Sequence, residues 1–494
     1  MKNLAVLFPG IGYTIEKPLL QRSMHIAQQL GYELLPVLYS GFPDRVRGDR
    51  EKMRLSFELA LAQARELLSG VDLTAYDSVL FIGKSIGTIV AANIAAERPG
   101  GDRVRFVLYT PLEETFSFPL GDAVAFTGSG DPWVGAENSR IPALCAERRI
   151  PCFVTPGGNH SLLTGDEEAD RRELAAVMLR TELFLRGLLP RVTLLGDAAA
   201  DTVLLQMVDE REEASLEEEF LQIRERTDGA AFLFAAVRVR DWDRELSPWA
   251  APPVFGGEDF GGGAEETLSL LLEELLPALQ RERAERFFYL GGYSLSGLFA
   301  LWAACRAGRF TGIAAVSPSV WFPGFRAYIS EHPPRAGRVY LSLGDREERT
   351  RNPVMATVGD AIRAIHASLI AEGVPCVLEW NEGNHFREPT LRTAKGFARL
   401  LNDRREQLER IAAHERLLRE AEQVVRRDDV TAAELAAVRG AVDRLAAYYG
   451  RMEWWQDLYD DESGFLPGDL ERGVLSEDGV YNLLERYGEL LAEE

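Results

Sequence analysis

A ten-residue stretch near the middle of the chain constrains its fold more than any other. Residues 289–298 read YLGGYSLSGL, in which an apolar run leads into glycines and a serine, Ser294, and a second apolar run follows at once. This pattern predicts a buried strand, a sharp turn and a helix, with Ser294 at the tip of the turn. A near copy, VLFIGKSIG, occupies residues 79–87 and puts Ser85 at the equivalent position. The chain is therefore expected to contain two units of one kind.

A serine at the tip of a strand–turn–helix resembles the nucleophile elbow of the α/β-hydrolases. In that superfamily an acid and then a histidine follow the serine along the chain, each just after a later strand. The resemblance implies an α/β fold for both units, with mostly parallel sheets and helices on both faces. It also gives a test, because each block must supply the acid and the histidine in that order.

Composition excludes several other classes of protein. The chain has 494 residues, 46% of them hydrophobic and 27% charged, as expected for two or three folded domains. The formal net charge of -22 argues against binding nucleic acid, whose phosphates would repel such a surface, and against binding an anionic membrane. Solubility is the simplest reason for the acidity.

The cysteines and the N-terminus suggest a cytoplasmic protein. None of the four cysteines forms a CxxC pair, and each lies in or beside an apolar run: Cys145, Cys152, Cys305 and Cys376. No disulfide framework or zinc site follows. The first apolar run is too short for a signal peptide, and no run reaches transmembrane length. No metal or redox cofactor is implied.

The first block carries the acid and the histidine in the required order. Asp131 lies in TGSGDPW after a strand predicted at 123–126, and His160 lies in GNHS after one predicted at 151–155. In such a triad Ser85 attacks an acyl carbonyl, and His160 takes its proton and returns it to the leaving group. Asp131 fixes the imidazole tautomer and stabilises the imidazolium.

The second block repeats the pattern with one choice left open. Its histidine, His385, stands in GNH, as His160 does. The segment LGDREE offers two acids, Asp345 and Glu347. Glu347 follows its glycine by three residues, as Asp131 does in the first block, so Glu347 is favoured over Asp345.

The residues beside the two serines differ. Ser296 occupies the position of the last glycine in the second elbow, where strand and helix backbones approach closely, and is expected to fit with some strain. Ser296 is out of frame as a nucleophile. Lys84 precedes the first serine, which is unusual for the superfamily. It could steer an anionic substrate, although a solvated lysine is the simpler expectation.

Backbone N–H groups beside each serine could stabilise an oxyanion. The candidates lie in the glycine-rich turn after the first strand and directly after each serine: Gly10, Ile11, Gly12, Ile86 and Leu295. In the second block, the loop 238–263 is expected to supply another donor and a substrate wall. Trp242 in that loop and Trp321 are candidates for lining the pocket, with ordinary packing as the alternative.

Residues 191–401 resemble the esterase branch of the α/β-hydrolases that includes siderophore esterases, feruloyl esterases and esterase D. The resemblance rests on GYSLSGLFA at 292–300, SPSVW at 317–321 and the pair Asn384-His385. It implies that Ser294 is the nucleophile, His385 the base, and the backbone of Leu295 part of the oxyanion hole. The first block resembles a small α/β-hydrolase with little lid.

The chain changes character from about residue 404. No strand-like run appears, and helices are predicted at 432–449 and 479–491. Residues 401–494 hold 23 acidic against 12 basic side chains. The motifs AAYYG, EWW and RGVLSED resemble a family of short, acidic bacterial helical proteins of unknown function, over about 405–492. Binding a protein partner, covering an active site and forming a solvated cap are all open roles.

Three domains are therefore expected: two α/β-hydrolase domains at 1–188 and 189–402, and an acidic all-α domain at 403–494. The predicted function is serine hydrolysis of a small ester or thioester through an acyl-enzyme, at one or both sites. Acyl transfer with the same triad is one alternative. A scaffold with one inactive hydrolase domain and a partner-binding tail is another.

Overall fold

The computed structural model describes residues 2–254 and 256–492. The chain forms two compact units. The first contains Met1–Pro190, with Asp197–Ala199 and Glu274–Glu282, and the second contains the remaining residues. The division into three domains at the expected boundaries stays a prediction.

The first unit is built on a six-stranded, wholly parallel sheet of order β2-β1-β3-β4-β5-β6. Its inner strands are buried almost throughout, as in a sheet covered on both faces. In chain order the strands are β1 (Asn3–Phe8), β2 (Tyr32–Pro36), β3 (Ser78–Lys84), β4 (Arg105–Tyr109), β5 (Ala123–Gly128) and β6 (Cys152–Thr155).

The helices of the first unit connect these strands. They are α1 (Pro18–Gln29), α2 (Arg50–Leu67), α3 (Ile86–Glu97), α4 (Ile141–Glu147) and α5 (Glu167–Leu185). Asp49 and Asp166 begin two of them, because their carboxylates accept backbone N–H groups of the first turn. The helix α3 is buried on almost every side, which holds the elbow before it firmly in place.

The second unit is built on a seven-stranded sheet of order β15-β14-β13-β12-β8-β9-β7, in which only β7 runs antiparallel to its neighbour. A short ribbon of β10 and β11 stands apart. The strands are β7 (Val192–Gly196), β8 (Thr202–Val208), β9 (Leu233–Arg238), β10 (Ala250–Ala251), β11 (Phe260–Gly261), β12 (Phe287–Tyr293), β13 (Phe310–Val316), β14 (Ala336–Gly344) and β15 (Cys376–Asn381). The predicted fold class is confirmed.

The remaining helices are α6 (Glu210–Glu213), α7 (Leu216–Arg226), α8 (Trp242–Glu245), α9 (Ala264–Ser269), α10 (Leu276–Gln280), α11 (Leu295–Arg306), α12 (Phe325–Glu331), α13 (Val358–Ala371), α14 (Pro389–Val425), α15 (Ala432–Tyr448), α16 (Met452–Glu462) and α17 (Glu477–Ala492). The helical run from α9 to α10 contains a π-helical turn at Leu270–Leu275, next to Pro277, which lacks a backbone N–H.

The C-terminal helices pack against the sheet of the second unit at the amino-terminal ends of its strands. Gln456 donates to the carbonyl of Gly337 at the start of β14 (3.3 Å), and the guanidinium of Arg404 lies over the ring of Phe287 at the start of β12. The elbow lies at the carboxyl ends of the strands, about 20 Å away along the strand direction. At these contacts the C-terminal helices lie away from Ser294, and the roles left open for them stay predictions.

The expected boundary before residue 403 falls inside a single helix. The helix α14 runs without a break from Pro389 to Val425, so it belongs both to the sheet's covering layer and to the C-terminal helices. In the part of the chain described, no helix is long and apolar enough to cross a membrane.

Two candidate active sites

The two serines occupy the same strained turn. Ser85 follows β3 with φ 55° and ψ -124°, and Ser294 follows β12 with φ 58° and ψ -119°. Non-glycine residues rarely adopt positive φ, and such strain concentrates at functional sites. Each serine stands at the carboxyl end of a central strand and just before a buried helix.

The first site brings the three predicted residues together. His160 Nε2 lies 2.7 Å from Ser85 Oγ, and His160 Nδ1 lies 2.7 Å from Asp131 Oδ2. Asp131 follows β5 and His160 follows β6, the second and third strands beyond the elbow strand. Asp131 is fully buried, and its second oxygen accepts the backbone N–H of Trp133 at 2.9 Å.

The surroundings of His160 keep it neutral. Burial lowers the pKa of His160 below its usual value, and the nearby cations Lys84 and Arg47 lower it further against the opposing effect of Asp131. The ring of Trp133 stacks on the imidazole with 5.3 Å between centroids. A neutral imidazole near Ser85 Oγ is the form that can accept the serine proton.

A cavity of about 960 Å³ opens onto Ser85 and His160. Its wall is mostly apolar and includes Phe57, Ile89 and Leu112. A largely apolar cleft of this size, with a few convergent polar groups, is the usual form of a small-molecule site.

Lys84 is not the solvated lysine that the sequence suggested. Its residue surface is 1% exposed, and it lines the same cavity as Ser85. Its ammonium lies 5.1 Å from the centroid of the Tyr13 ring. Burial lowers the pKa of Lys84 to about 7, although Asp131 acts in the opposite direction. The expectation was wrong because Lys84 ends the buried strand β3 and points into the wall beside the elbow.

The second site brings together Ser294, His385 and Glu347. His385 Nε2 lies 3.1 Å from Ser294 Oγ, and His385 Nδ1 lies 2.7 Å from Glu347 Oε2. Glu347 follows β14 and His385 follows β15, again the second and third strands beyond the elbow strand.

Glu347 is held in a buried network that the sequence did not reveal. Its other oxygen accepts from the Ser317 hydroxyl (2.7 Å), the Gly344 N–H (2.8 Å) and the Arg392 guanidinium (3.1 Å). Burial alone would raise the pKa of Glu347, but its bonds to His385, Ser317 and Gly344 bring it below its usual value. Arg392 lies in α14, seven residues after His385, and no motif marks it.

Asp345, the other acid considered, does not reach the histidine. Its carboxylate accepts the N–H of Gly383 at 2.8 Å and shapes the turn before His385. In the first unit the hydroxyl of Ser129 accepts the N–H of Gly157 at 2.7 Å and does the same. The counting argument that favoured Glu347 thus reflects a turn common to both units.

Ser296 fits without the expected strain. A Cβ on Gly87, its equivalent in the first unit, would overlap the carbonyl oxygen of Phe8. Ser296 instead donates its hydroxyl to the carbonyl of Met207 in β8 at 2.8 Å. It is absent from the residues with positive φ, and its side chain makes one hydrogen bond at the position that a glycine occupies in the first unit.

One of the candidate oxyanion donors already makes a backbone hydrogen bond, and the others are available to a ligand. The N–H of Gly10 bonds to the carbonyl of Tyr13 at 3.1 Å and is occupied. Ile11 and Gly12 line the cavity, and among the described residues neither N–H has a partner. Ile86 and Leu295 are the first residues of α3 and α11, where helix N–H groups lack intrahelical acceptors.

The loop 238–263 follows β9, but β8 is the strand that pairs with the elbow strand β12. The expected second oxyanion donor therefore fits the segment that begins at Asp209, after β8, better than this loop. Trp242 is half-buried in α8, and the ring of Trp321 packs against Phe260 with 6.2 Å between centroids. A pocket role for either tryptophan stays a prediction.

A comparison with known protein families matches the C-terminal part of the chain. Residues 411–494 match the family described as "Domain of unknown function (DUF4298)", which confirms the resemblance expected from the C-terminal motifs. Among curated proteins the chain is 26% identical over 137 residues to "Uncharacterized protein YbbA" of Bacillus subtilis (strain 168). That match covers 26% of this chain, and the chain spans about half, 55%, of the relative's length.

Several solved structures are similar to this chain. An IroE-like serine hydrolase from Shewanella oneidensis is 15% identical, with a TM-score of 0.37, covering 60% of this chain and 94% of that one. The siderophore hydrolase EstA from Aspergillus nidulans is 20% identical, with a TM-score of 0.35, covering 43% and 88%. The enterobactin esterase FES from Shigella flexneri is 17% identical, with a TM-score of 0.32, covering 43% and 55%.

Proposed function

We propose that both units are serine hydrolases that cleave small esters through an acyl-enzyme. One observation carries this proposal. In each unit a histidine lies within hydrogen-bond distance of both an elbow serine and a buried acid. A serine, a base and an orienting acid in such contact are the parts that acyl transfer requires.

Acylation would begin with attack of Ser85 Oγ on the ester carbonyl, while His160 Nε2 takes the hydroxyl proton. Asp131 holds Nδ1–H and stabilises the imidazolium as it forms. The N–H groups of Ile86 and of Ile11 or Gly12 would stabilise the negative oxygen of the tetrahedral intermediate. The alcohol then leaves with the proton from His160, and Ser85 keeps the acyl group.

Deacylation would reverse the roles with water as the nucleophile. His160 takes a proton from water, the hydroxide adds to the acyl carbonyl, and Ser85 leaves with the proton. Ser294, His385 and Glu347 would act in the same order at the second site. The cavity at the first site supports a small-molecule substrate rather than a polymer.

The test is ester hydrolysis by wild-type protein, Ser85→Ala, Ser294→Ala and the double variant. Loss of the nucleophile costs about a millionfold in kcat at its own site, so the double variant should be inactive and each single variant should keep one activity. Ser330→Ala, a substitution on the exposed face of α12, is the matched control and should be unchanged. Full activity in the double variant would contradict the proposal.

A further inference from the structure

Lys84 is a buried, charged residue of the first site that the proposed reaction does not use. It ends β3, directly before Ser85, and the little surface that it keeps lies in the catalytic cavity. Within residues 2–254 and 256–492, no carboxylate lies within ion-pair distance of its ammonium. A buried cation without a partner is costly, so its retention beside a nucleophile needs a reason.

Its contacts do not supply that reason. The ammonium faces the ring of Tyr13, and a cation–π contact of this kind is worth less than a lost hydration shell. Asp131 is near enough to influence Lys84, but its oxygens are taken by His160 and by the N–H of Trp133.

The second site shows that the fold does not require a cation at this position. Tyr293 precedes Ser294 there, and its hydroxyl donates to the carbonyl of His385 at 2.7 Å. The fold therefore accepts a neutral residue before the nucleophile, and Lys84 is specific to the first site.

We propose that the substrate of the first site carries a carboxylate, and that Lys84 binds it inside the cavity. This rests on the proposed function. A single buried ammonium is neutralised by a single negative charge, which favours a carboxylate over a dianionic phosphate. Lys84 then acts as a specificity-determining residue, separate from the three residues that react.

The other charged residues of the cavity wall also favour a negatively charged substrate. Arg50 and Arg54 line the cavity against one acid, Glu114. Arg54 is bound to Glu58 at 2.6 Å, so Arg50 and Lys84 are the cations left to attract an anion. The cavity wall is thus cationic in a chain whose formal net charge is -22.

Binding should also be coupled to protonation. Because burial lowers the pKa of Lys84 to about 7, part of the population carries a neutral amine at neutral pH. A carboxylate favours the charged form and must be accompanied by a proton when the pH is above that pKa. The preference for an anionic ligand should therefore fade as the pH rises from 6 to 9.

The experiment compares two fluorophosphonate probes of equal linker length, one ending in a carboxylate and one in its methyl ester, over a short series of linkers. Labelling rates at Ser85 and Ser294 are read separately by peptide mass, in wild-type protein and Lys84→Met. We expect the ratio of carboxylate to ester rates at Ser85 to fall about tenfold to a hundredfold in Lys84→Met. The ratio at Ser294 should not change.

Each outcome bears on a different claim. Normal labelling of Ser85 by the ester probe shows that the variant's site is intact, so an unchanged ratio there overturns the role of Lys84 alone. In wild-type protein, a ratio at Ser85 that stays constant from pH 6 to 9 overturns the coupling of this binding to protonation of Lys84. If neither probe labels Ser85 in wild-type protein, the proposed function of this site fails, and the inference fails with it.

Discussion

Among the described residues, the carboxylate of the first site's acid accepts bonds only from His160 and from the backbone of Trp133, whereas the second site's acid accepts from a buried arginine, Arg392. The residue before the elbow serine is a buried lysine in one site and a tyrosine in the other. Both sites nevertheless place serine, acid and histidine after equivalent strands. Strand order thus fixes the reacting groups, while the charges around them are free to differ.

The position of the buried cation predicts that the two sites favour different ligands. In the second site, a fixed internal cation neutralises the acid. In the first, the buried Lys84 lines the cavity, where a ligand can meet it. The predictions below test how far the two sites depart from each other.

Replacing the acids should have the largest effect on activity and should separate the sites by stability. Asp131→Asn and Glu347→Gln should each lower kcat at their own site about 10⁴-fold, because an amide does not hold the required tautomer. Glu347→Gln also leaves Arg392 buried without its carboxylate and should cost about 3 kcal/mol of stability. Asp131→Asn should cost little, since the Trp133 bond can persist.

Activity is measured as kcat for a neutral ester, in protein whose other elbow serine has been replaced by alanine. Stability is measured by hydrogen exchange of peptides from β3 and from β12. Equal loss of protection in both units would show that Arg392 does not distinguish them.

Lys84 should make the stability of the first unit depend on pH in alkaline solution. Its pKa is about 7 in the folded protein and about 10.4 in an unfolded chain. Between these values the unfolded chain binds more protons, so stability should rise with pH, by roughly 4 kcal/mol in total. Lys84→Met should remove this rise. Urea titrations at pH 7 and pH 10, followed by hydrogen exchange of β3 peptides, measure this rise in stability. An equal rise in wild-type protein and Lys84→Met would contradict the prediction.

The position two residues after each elbow serine should lose stability on substitution by alanine, but to a different extent in each unit. Gly87→Ala drives a Cβ into the carbonyl of Phe8 and should destabilise the first unit by about 3 kcal/mol. Ser296→Ala loses one hydrogen bond to Met207 and should cost about 1 kcal/mol. Urea unfolding followed in each unit separately gives both numbers, and a tolerated Gly87→Ala would show that the first elbow is less tightly packed than described.

The smallest effect concerns the acid limb of the first site. The general base must be neutral, and the pKa of His160 lies below its usual value of 6.5. In Ser294→Ala protein, kcat/KM for a neutral ester should therefore fall only below that pH. Lys84→Met removes one of the cations that lower this pKa, so the limb should move to higher pH. A limb that stays in place would show that the Lys84 charge does not reach the imidazole.

Much of the site could be predicted from sequence because it follows local rules. Strand, turn and helix patterns located both serines, and the repeated GNH located His160 and His385. Arg392 and Ser317 could not be found this way, because they meet Glu347 only through packing between α14, β13 and β14. Lys84 was misjudged since its charge suggested solvent, while its place at the end of a buried strand indicated the opposite.

The fold was predicted best where periodicity was strong and least well where packing decides. No local sequence pattern marks the π-helical turn at Leu270–Leu275 within its helical run. None shows that α14 continues unbroken past the expected domain boundary. The role of the C-terminal helices in binding a partner stays a prediction.

The most direct test of the account is fluorophosphonate labelling of the wild-type protein, read first as intact mass and then by peptide. The account predicts two additions, one on Ser85 and one on Ser294, each lost when its own histidine is changed to alanine. Label on one serine alone would contradict the claim for the other unit. Label on neither would contradict the proposal that these triads are nucleophilic.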